Sequence, residues 1–165
     1  MIYTIGYSNR TLPEFLIELE RRGIAQIIDV RSSPWSRNAA FNANQIEQWS
    51  GRAGIMYRQC GEVLGGRAET ALDHPDYLAA LDRILDAACR EPLVIMCAEG
   101  DPTQCHRTWS VGASLLVRHS VPMRSINRDG TDEAITDTLG RVPTRMFEPQ
   151  IRKALDAKLV GFLDA

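Results

Sequence analysis

Residues 93–97 are the most constraining stretch of the sequence, because all five side chains are apolar: Leu, Val, Ile, Met and Cys. An apolar run of this length is typical of a strand that is covered on both faces. Such strands lie at the centre of parallel sheets, whose two faces are covered by helices. The stretch therefore predicts a central strand of a parallel sheet.

Shorter strand patterns alternate with helical patterns on both sides of this stretch. Strands are predicted at residues 1–7, 25–30, 55–58 and 122–126, with helices between them. Thr11 and Glu14 have the spacing of a capping box at the start of the first helix. Because this alternation requires right-handed crossovers, we expect an α/β fold, a three-layer α/β/α sandwich around a mostly parallel sheet of about five strands.

The chain length fits one domain of this kind. Chains of about 100–200 residues usually form a single domain, and this chain has 165 residues. We expect residues 1–165 to form a single α/β domain with a helical C-terminal segment at about 131–165. Cys89 falls on the apolar face of a predicted helix, at residues 76–89, and is expected in the core.

Composition limits the classes of partner and the compartment. Nineteen Lys and Arg face 21 Asp and Glu, a formal net charge of −2, which is unlike the basic footprint of an obligate nucleic-acid-binding protein. Neither a secretory signal nor a membrane-spanning run is present in the sequence, so we expect a cytoplasmic protein. Its four cysteines are then expected to be reduced and open to reactive or metal-binding roles. No cofactor is indicated.

The loop after the central strand carries the densest set of reactive side chains. Residues 97–107 contain two thiols, two carboxylates, an imidazole and a guanidinium between a strand and a predicted helix at about 106–118. Thiols and imidazoles serve as nucleophiles and acid–base groups, and nearby cations favour the thiolate. The expected catalytic residues are Cys97, Cys105, His106, Asp101 and Glu99.

Arginines follow the other predicted strands. The carboxyl ends of parallel strands form the ligand-binding edge of such sheets, so side chains from separate loops meet there. Guanidinium groups bind phosphates and carboxylates through two parallel hydrogen bonds. The arginines expected to bind substrate at this edge are Arg10, Arg31, Arg37, Arg67 and Arg107.

Four stretches together resemble the domain-of-unknown-function family 488 of bacteria and archaea. They are residues 4–11, 29–37, 64–67 and the motif Cys-Ala-Glu-x-Asp-Pro-x-x-Cys-His-Arg at 97–107. No established activity accompanies the resemblance. It implies an α/β fold and a shared site that also includes Tyr7 and Ser8 as substrate-binding residues.

Three functions fit these residues. The first is an enzyme, a cysteine-dependent hydrolase or transferase or a redox enzyme, that acts on a phosphorylated or other anionic substrate. The second is a nucleotide- or nucleic-acid-binding module without turnover, in which the edge arginines bind phosphate and Trp35, with Phe41 as a further candidate, stacks on a base. The third is a metal site of Cys97, Cys105 and His106, with Asp101 or Cys60 as a further candidate ligand. Against it stands the strain of two neighbouring residues, Cys105 and His106, binding one ion. The oligomeric state is left open.

Two structural predictions follow from the crowding of arginines at one edge. The carboxylates of Asp29, Glu99 and Asp101 are expected to pair with these arginines in the unliganded protein. The substitution Arg107→Ala is expected to lower anion affinity and to leave thermal stability nearly unchanged, because the side chain would serve the ligand rather than the fold.

Overall fold

A six-stranded sheet forms the middle of the computed structural model, which describes residues 1–67 and 72–163. The strands are β1 (Ile2–Gly6), β2 (Gln26–Asp29), β3 (Met56–Gln59), β4 (Leu93–Cys97), β5 (Met123–Ile126) and β6 (Asp132–Ala134). Their order is β3-β2-β4-β1-β5-β6, and the first five in this order are parallel. The mostly parallel α/β sandwich is confirmed, with one strand more than the expected five.

The central strand is β4, as the apolar run predicts. All five of its residues are buried, and it pairs with β1 on one side and β2 on the other. The register sets Cys97 beside Gly6 at the carboxyl edge of the sheet. The loops after β1, β2 and β4 therefore leave the sheet side by side.

Helices cover both faces of the sheet. They are α1 (Leu12–Arg21), α2 (Ala43–Arg52), α3 (Gly61–Leu64), α4 (Pro75–Arg90), α5 (Ala113–His119), α6 (Ile135–Gly140) and α7 (Pro149–Leu163). Phe15 of α1 and Ile46 of α2 belong to the core on one face, whereas Leu81 of α4 and Leu115 of α5 belong to the core on the other. None of the described helices combines the length and the apolar character that crossing a bilayer requires.

The capping box at the start of α1 is present. The backbone N–H of Thr11 donates to the Glu14 carboxylate, and the Glu14 N–H donates to the Thr11 hydroxyl. The helix predicted at 106–118 differs, since its first part is a π-helical turn, Arg107–Gly112, that leads into α5. A π turn has more than four residues per turn, which changes the directions in which Arg107 and Trp109 point relative to an α-helix.

Two further sequence expectations need correction. The segment expected to be helical from about residue 131 begins instead with β6, which pairs antiparallel with β5 through a turn at Gly130. Residues 164 and 165 of that segment lie outside the described residues. Cys89 is exposed rather than buried, because the buried face of α4 is formed by Tyr77, Leu81 and Ile84, on another side of the helix.

Gly6 brings the loop after β4 against the end of β1. A Cβ atom at Gly6 would lie 1.7 Å from the carbonyl oxygen of Glu99, so only glycine allows this contact. Backbone N–H groups of Tyr7 and Ser8 donate to the carbonyls of Cys97 and Ala98, which continues the pairing of the two strands. The close approach fixes the reactive loop directly above the sheet edge.

Candidate active site

A cleft of about 360 Å³ opens at the carboxyl edge of the sheet. The connection after β1 leads to β2, and the connection after the adjacent strand β4 leads to β5. These two connections run in opposite directions across the sheet, and their helices α1 and α5 lie on opposite faces. Ligands of α/β sheets bind at such a switch point. The described residues that line the cleft are Tyr7, Arg31, Ser32, Ser33, Trp35, Gly66, Arg67, Cys97, Ala98, Glu99, Gln104, Cys105, His106 and Trp109.

The twelve residues predicted for the site divide into two groups. The cleft is lined by Tyr7, Arg31, Arg67, Cys97, Glu99, Cys105 and His106. The residues that do not line it are Ser8, Arg10, Arg37, Asp101 and Arg107. Residues separated by up to 99 positions in the chain thus share one cleft, as the parallel sheet predicts.

Two thiols and an imidazole form the most reactive cluster in the cleft. Nδ1 of His106 lies 3.9 Å from Sγ of Cys97 and also 3.9 Å from Sγ of Cys105. Nε2 of His106 donates to the carbonyl oxygen of Val30, 2.8 Å away. This bond orients the ring and leaves Nδ1 as the imidazole nitrogen that faces the two sulfur atoms.

The two thiols influence each other's protonation. The neighbouring Cys105 thiol and burial raise the pKa of Cys97. Hydrogen bonding by Cys97 lowers the pKa of Cys105, and His106 and the charge of Arg107 lower it further. Because the sites are coupled, the pair titrates as a unit in which one sulfur loses its proton more readily than an isolated thiol and the other less readily.

Arg31 lies beside the cluster and is bound closely to Asp29. Its Nε and Nη2 donate to both carboxylate oxygens at 2.6–3.0 Å, while Nη1 donates to the Phe41 carbonyl and the Tyr7 hydroxyl. Burial would lower the pKa of Arg31, but the hydrogen bonds and charge of Asp29 raise it above its ordinary value. One N–H of the five on the guanidinium remains for a ligand. The predicted pairing of Asp29 with Arg31 is confirmed.

Arg107 is fully buried, which the sequence did not predict. Its Nη1 donates to the Glu99 carbonyl oxygen at 2.5 Å, whereas Nε and Nη2 have no hydrogen-bond partner among the described residues. Among the described residues, neither Glu99 nor Asp101 pairs with an arginine at hydrogen-bond distance. The predicted pairing of these two carboxylates with the edge arginines is therefore wrong.

The remaining predicted residues have contacts outside the cleft. Arg10 is buried and donates to the carbonyls of Gly6 and Asn127, so it joins β1 to the turn between β5 and β6. Asp101 accepts from the backbone and hydroxyl of Thr103 at 2.8 Å and so shapes its own turn. Ser8 contributes a backbone hydrogen bond, and Arg37 is exposed.

Several residues outside the predicted set line the cleft or support its wall. Tyr57 of β3 donates to Asp29 at 2.6 Å, and Trp109 lines the cleft with a buried indole N–H that has no partner in the described part of the chain. A Cβ at Gly66 would lie 3.0 Å from the His106 ring, so this glycine allows the ring its position. The adjacent pair Gly65-Gly66 was the available signal for this close approach.

The two aromatic residues expected to stack on a base have different surroundings. Trp35 is 67% exposed at the cleft. Phe41 is buried and stacks on Tyr7 with ring centroids 4.4 Å apart, so it supports the cleft wall from behind and is not available to a ligand. Of these two residues, only Trp35 offers a stacking surface to a ligand.

One cluster of the described residues has the composition and spacing to hold a metal ion. The ligand atoms of Cys97, Cys105 and His106 all lie within 4.8 Å of one another. Cys105 and His106 are neighbours in the chain, which was expected to strain a site that contains both as ligands. Their donor atoms Sγ and Nδ1 nevertheless lie 3.9 Å apart.

Part of the chain is similar to a known protein family. A search of curated proteins finds no match. The model of the family described as "Domain of unknown function DUF488" matches residues 11–77, a range that includes Asp29, Arg31 and Arg67 and ends before the motif at 97–107. Over residues 11–77 the chain is therefore similar to the DUF488 family, whose description assigns no activity.

Proposed function

We propose that this protein is an enzyme that binds a small phosphorylated or carboxylated substrate in the cleft and transforms it at the cluster of Cys97, Cys105 and His106. The observation that carries the proposal is the shared cleft, in which the reactive cluster and the side chains of Arg31 and Arg67 line the same space. Reactive groups beside anion-binding groups at a switch point are the usual composition of an active site. We expect it to act in the cytoplasm, where thiols stay reduced.

Arg67 is the principal anion-binding residue in this proposal. The charge of Arg31 is balanced by Asp29, so this pair contributes little net attraction, although one N–H is free to orient a ligand oxygen. Arg67 is exposed at the cleft, and its backbone N–H donates to Ser32 at 2.9 Å, which holds the arginine loop against the serine loop. Glu99 brings an opposing charge that favours a small, specifically placed anion over a polyanion.

The test is calorimetric titration of the reduced full-length chain with inorganic phosphate and with phosphate monoesters at low salt. We expect Arg67→Ala to weaken binding by about tenfold, because a hydrogen bond to a charged group contributes about 1.5–3 kcal/mol. The matched control is Arg37→Ala, an exposed arginine outside the cleft, which should bind like the parent chain. Absence of binding at low salt, or equal loss in both variants, contradicts the proposal.

Turnover separates an enzyme from a binding module. We expect slow release of phosphate from some monoesters and its loss in Cys97→Ser, with Cys89→Ser as the exposed-cysteine control. Nucleotide binding without turnover is the second candidate, favoured by the exposed Trp35 at the cleft. That function predicts quenching of tryptophan fluorescence by adenosine monophosphate, abolished in Trp35→Ala, and no product from any ester.

A further inference from the structure

We propose that Cys97, Cys105 and His106 form a mononuclear metal centre of the zinc class whose fourth coordination position faces the cleft. This inference rests on the proposed function, because it assigns the reactive group of the same cleft. Zinc is the ion whose preferred ligands are thiolate sulfur and imidazole nitrogen in a four-coordinate arrangement. The set of two sulfurs and one nitrogen matches a site with three protein ligands and one open position.

The spacing of the three donor atoms supports a common centre. Nδ1 of His106 is equally far, 3.9 Å, from the sulfurs of Cys97 and Cys105. Zn–S bonds of about 2.3 Å and Zn–N bonds of about 2.0 Å at tetrahedral angles separate sulfur from nitrogen by about 3.6 Å. The observed separation is therefore within a few tenths of an ångström of the coordinated arrangement.

The two equal distances also show that neither sulfur is the preferred partner of the imidazole. In a cysteine–histidine dyad one sulfur lies within hydrogen-bond reach of the imidazole, and a second thiol is not required at the same distance. Here both sulfurs face the same nitrogen, and both thiols are buried, Cys97 at 5% and Cys105 at 1% exposure. Two sulfurs related in this way to one imidazole indicate ligands around one point.

The surroundings of His106 match those of a metal ligand. A coordinating imidazole usually donates its other N–H to a carbonyl or a carboxylate, which fixes the ring and its tautomer. Nε2 of His106 has such a partner in the carbonyl oxygen of Val30, at 2.8 Å. A Cβ at Gly66 would lie 3.0 Å from the ring, so glycine at this position leaves the ring the space for this orientation.

The charges around the cluster indicate what occupies the fourth position. Two thiolates balance one divalent cation, so the three-ligand centre is neutral. Arg107 is fully buried two residues beyond Cys105, and among the described residues it has no carboxylate partner and two unpartnered nitrogens. A buried cation next to a neutral centre favours an anionic oxygen as the fourth ligand. The metal would then bind the anionic substrate directly and polarise it as a Lewis acid.

The decisive experiment is titration of the reduced, chelator-treated full-length chain with Co²⁺, followed by displacement with Zn²⁺. We expect one Co²⁺ per chain, with the ultraviolet charge-transfer band of cobalt–thiolate bonds and the visible bands of tetrahedral cobalt. Cys97→Ser, Cys105→Ser and His106→Gln should each weaken binding at least about 100-fold, since each removes one of only three protein ligands. Cys60→Ser and Cys89→Ser are the matched controls and should bind like the parent chain.

A second measurement needs no variant at the cluster. Zn²⁺ should protect Cys97 and Cys105 of the parent chain from iodoacetamide at least tenfold, while exposed Cys89 is alkylated at an unchanged rate, as mass spectrometry of peptides would show. Failure to bind Co²⁺ at micromolar concentration, binding that survives Cys97→Ser, or equal alkylation with and without Zn²⁺ would each overturn the metal centre. If one of these results overturns the metal centre but phosphate binding is still lost in Arg67→Ala, the proposed enzyme stands. A thiol would then be its nucleophile.

Discussion

Arg31 and Arg107 are both buried beside the cleft, yet their environments are opposite. Arg31 is 5% exposed and donates to both oxygens of Asp29, to a carbonyl and to a tyrosine hydroxyl. Arg107 is 0% exposed, and within the described residues its guanidinium makes one hydrogen bond, to the Glu99 carbonyl. Only the first guanidinium has a carboxylate partner among the described residues.

These environments indicate that Arg31, and not Arg107, stabilises the fold. A buried charge is costly unless an opposite charge and hydrogen bonds compensate it. At Arg31 the compensation is built into β2, β3 and their loops, so this pair belongs to the scaffold. At Arg107 the compensation is incomplete, so this residue adds positive potential next to Cys97 and Cys105 at a cost to stability.

The largest loss in the free energy of unfolding is expected for Arg31→Met. The change leaves the carboxylate of Asp29, which is 1% exposed, without its guanidinium. Removing one partner of a buried ion pair costs about 3–5 kcal/mol, so we expect a loss of this size in the free energy of unfolding. Urea unfolding measures it, with Arg37→Met as the control on the same loop. A loss below about 1 kcal/mol would show that the pair does not stabilise the fold.

Tyr57→Phe removes another hydrogen bond to Asp29 and should have a smaller effect than Arg31→Met. The hydroxyl of Tyr57 donates to Asp29 at 2.6 Å, and burial together with Asp29 raises the pKa of Tyr57. Losing a hydrogen bond to a charged group should cost about 1.5 kcal/mol in urea unfolding. In the Arg31→Met background the cost should be larger, because the hydroxyl is then among the few donors left to the carboxylate. Additive losses would contradict the three-residue network.

The sequence predicts the strands of the sheet better than it predicts the contacts of the arginines. The reason is that the strands depend on neighbouring residues, whereas the arginine contacts join residues far apart in the chain. The apolar run at 93–97 and the capping box of Thr11 and Glu14 depend on neighbouring residues, and both appear in the structure as expected. Strand β6 does not stand out locally, because it has only three residues and two of them, Asp132 and Glu133, are charged. It is stabilised by contacts of Asp132 with Arg22, 110 positions earlier in the chain.

The site was predictable where strand order alone determines it. Cys97, Cys105, His106, Arg31 and Arg67 reach the cleft because the loops after parallel strands share one edge. Arg10 could not be assigned in this way, because its partner is the carbonyl of Asn127, 117 residues later. The direction of the Arg107 side chain depends on the π turn, which no local pattern in the sequence predicted.

Arg22 has a third kind of environment, and the stability that its ion pairs contribute should depend on pH. Arg22 contacts Glu18 and Asp132, and Arg124 also binds Asp132. Burial would raise the pKa of Asp132, but these two arginines outweigh it and hold the pKa below its usual range. The stabilisation is therefore present above about pH 4, the ordinary pKa of an aspartate, and is lost as pH falls through the lower folded-state value.

We accordingly expect Asp132→Asn to cost about 1 kcal/mol at neutral pH, as partly exposed ion pairs do, and less near pH 3. Urea unfolding at the two pH values gives the difference. Asp86→Asn is the control, because Asp86 is exposed and has no ion pair within the described part of the chain. A cost for Asp132→Asn that is the same at both pH values would mean that the carboxylate charge is not the stabilising feature.

The smallest change in stability is expected for Arg107→Met, the counterpart of Arg31→Met. The substitution removes a buried charge without a carboxylate partner and two nitrogens without hydrogen bonds, while methionine fills much of the volume. Replacing an uncompensated buried charge by an apolar side chain is often neutral or stabilising, so the free energy of unfolding should change by less than about 1 kcal/mol. Arg107→Ala should lower the free energy of unfolding more, by about 2 kcal/mol or above, because it also leaves a cavity in a fully buried position. The full burial of Arg107 thus favours a loss of stability in Arg107→Ala over the nearly unchanged thermal stability expected from the sequence. Urea unfolding of the three variants decides: if Arg107→Met costs as much as Arg31→Met, the guanidinium of Arg107 is compensated after all, and the contrast between the two arginines is lost.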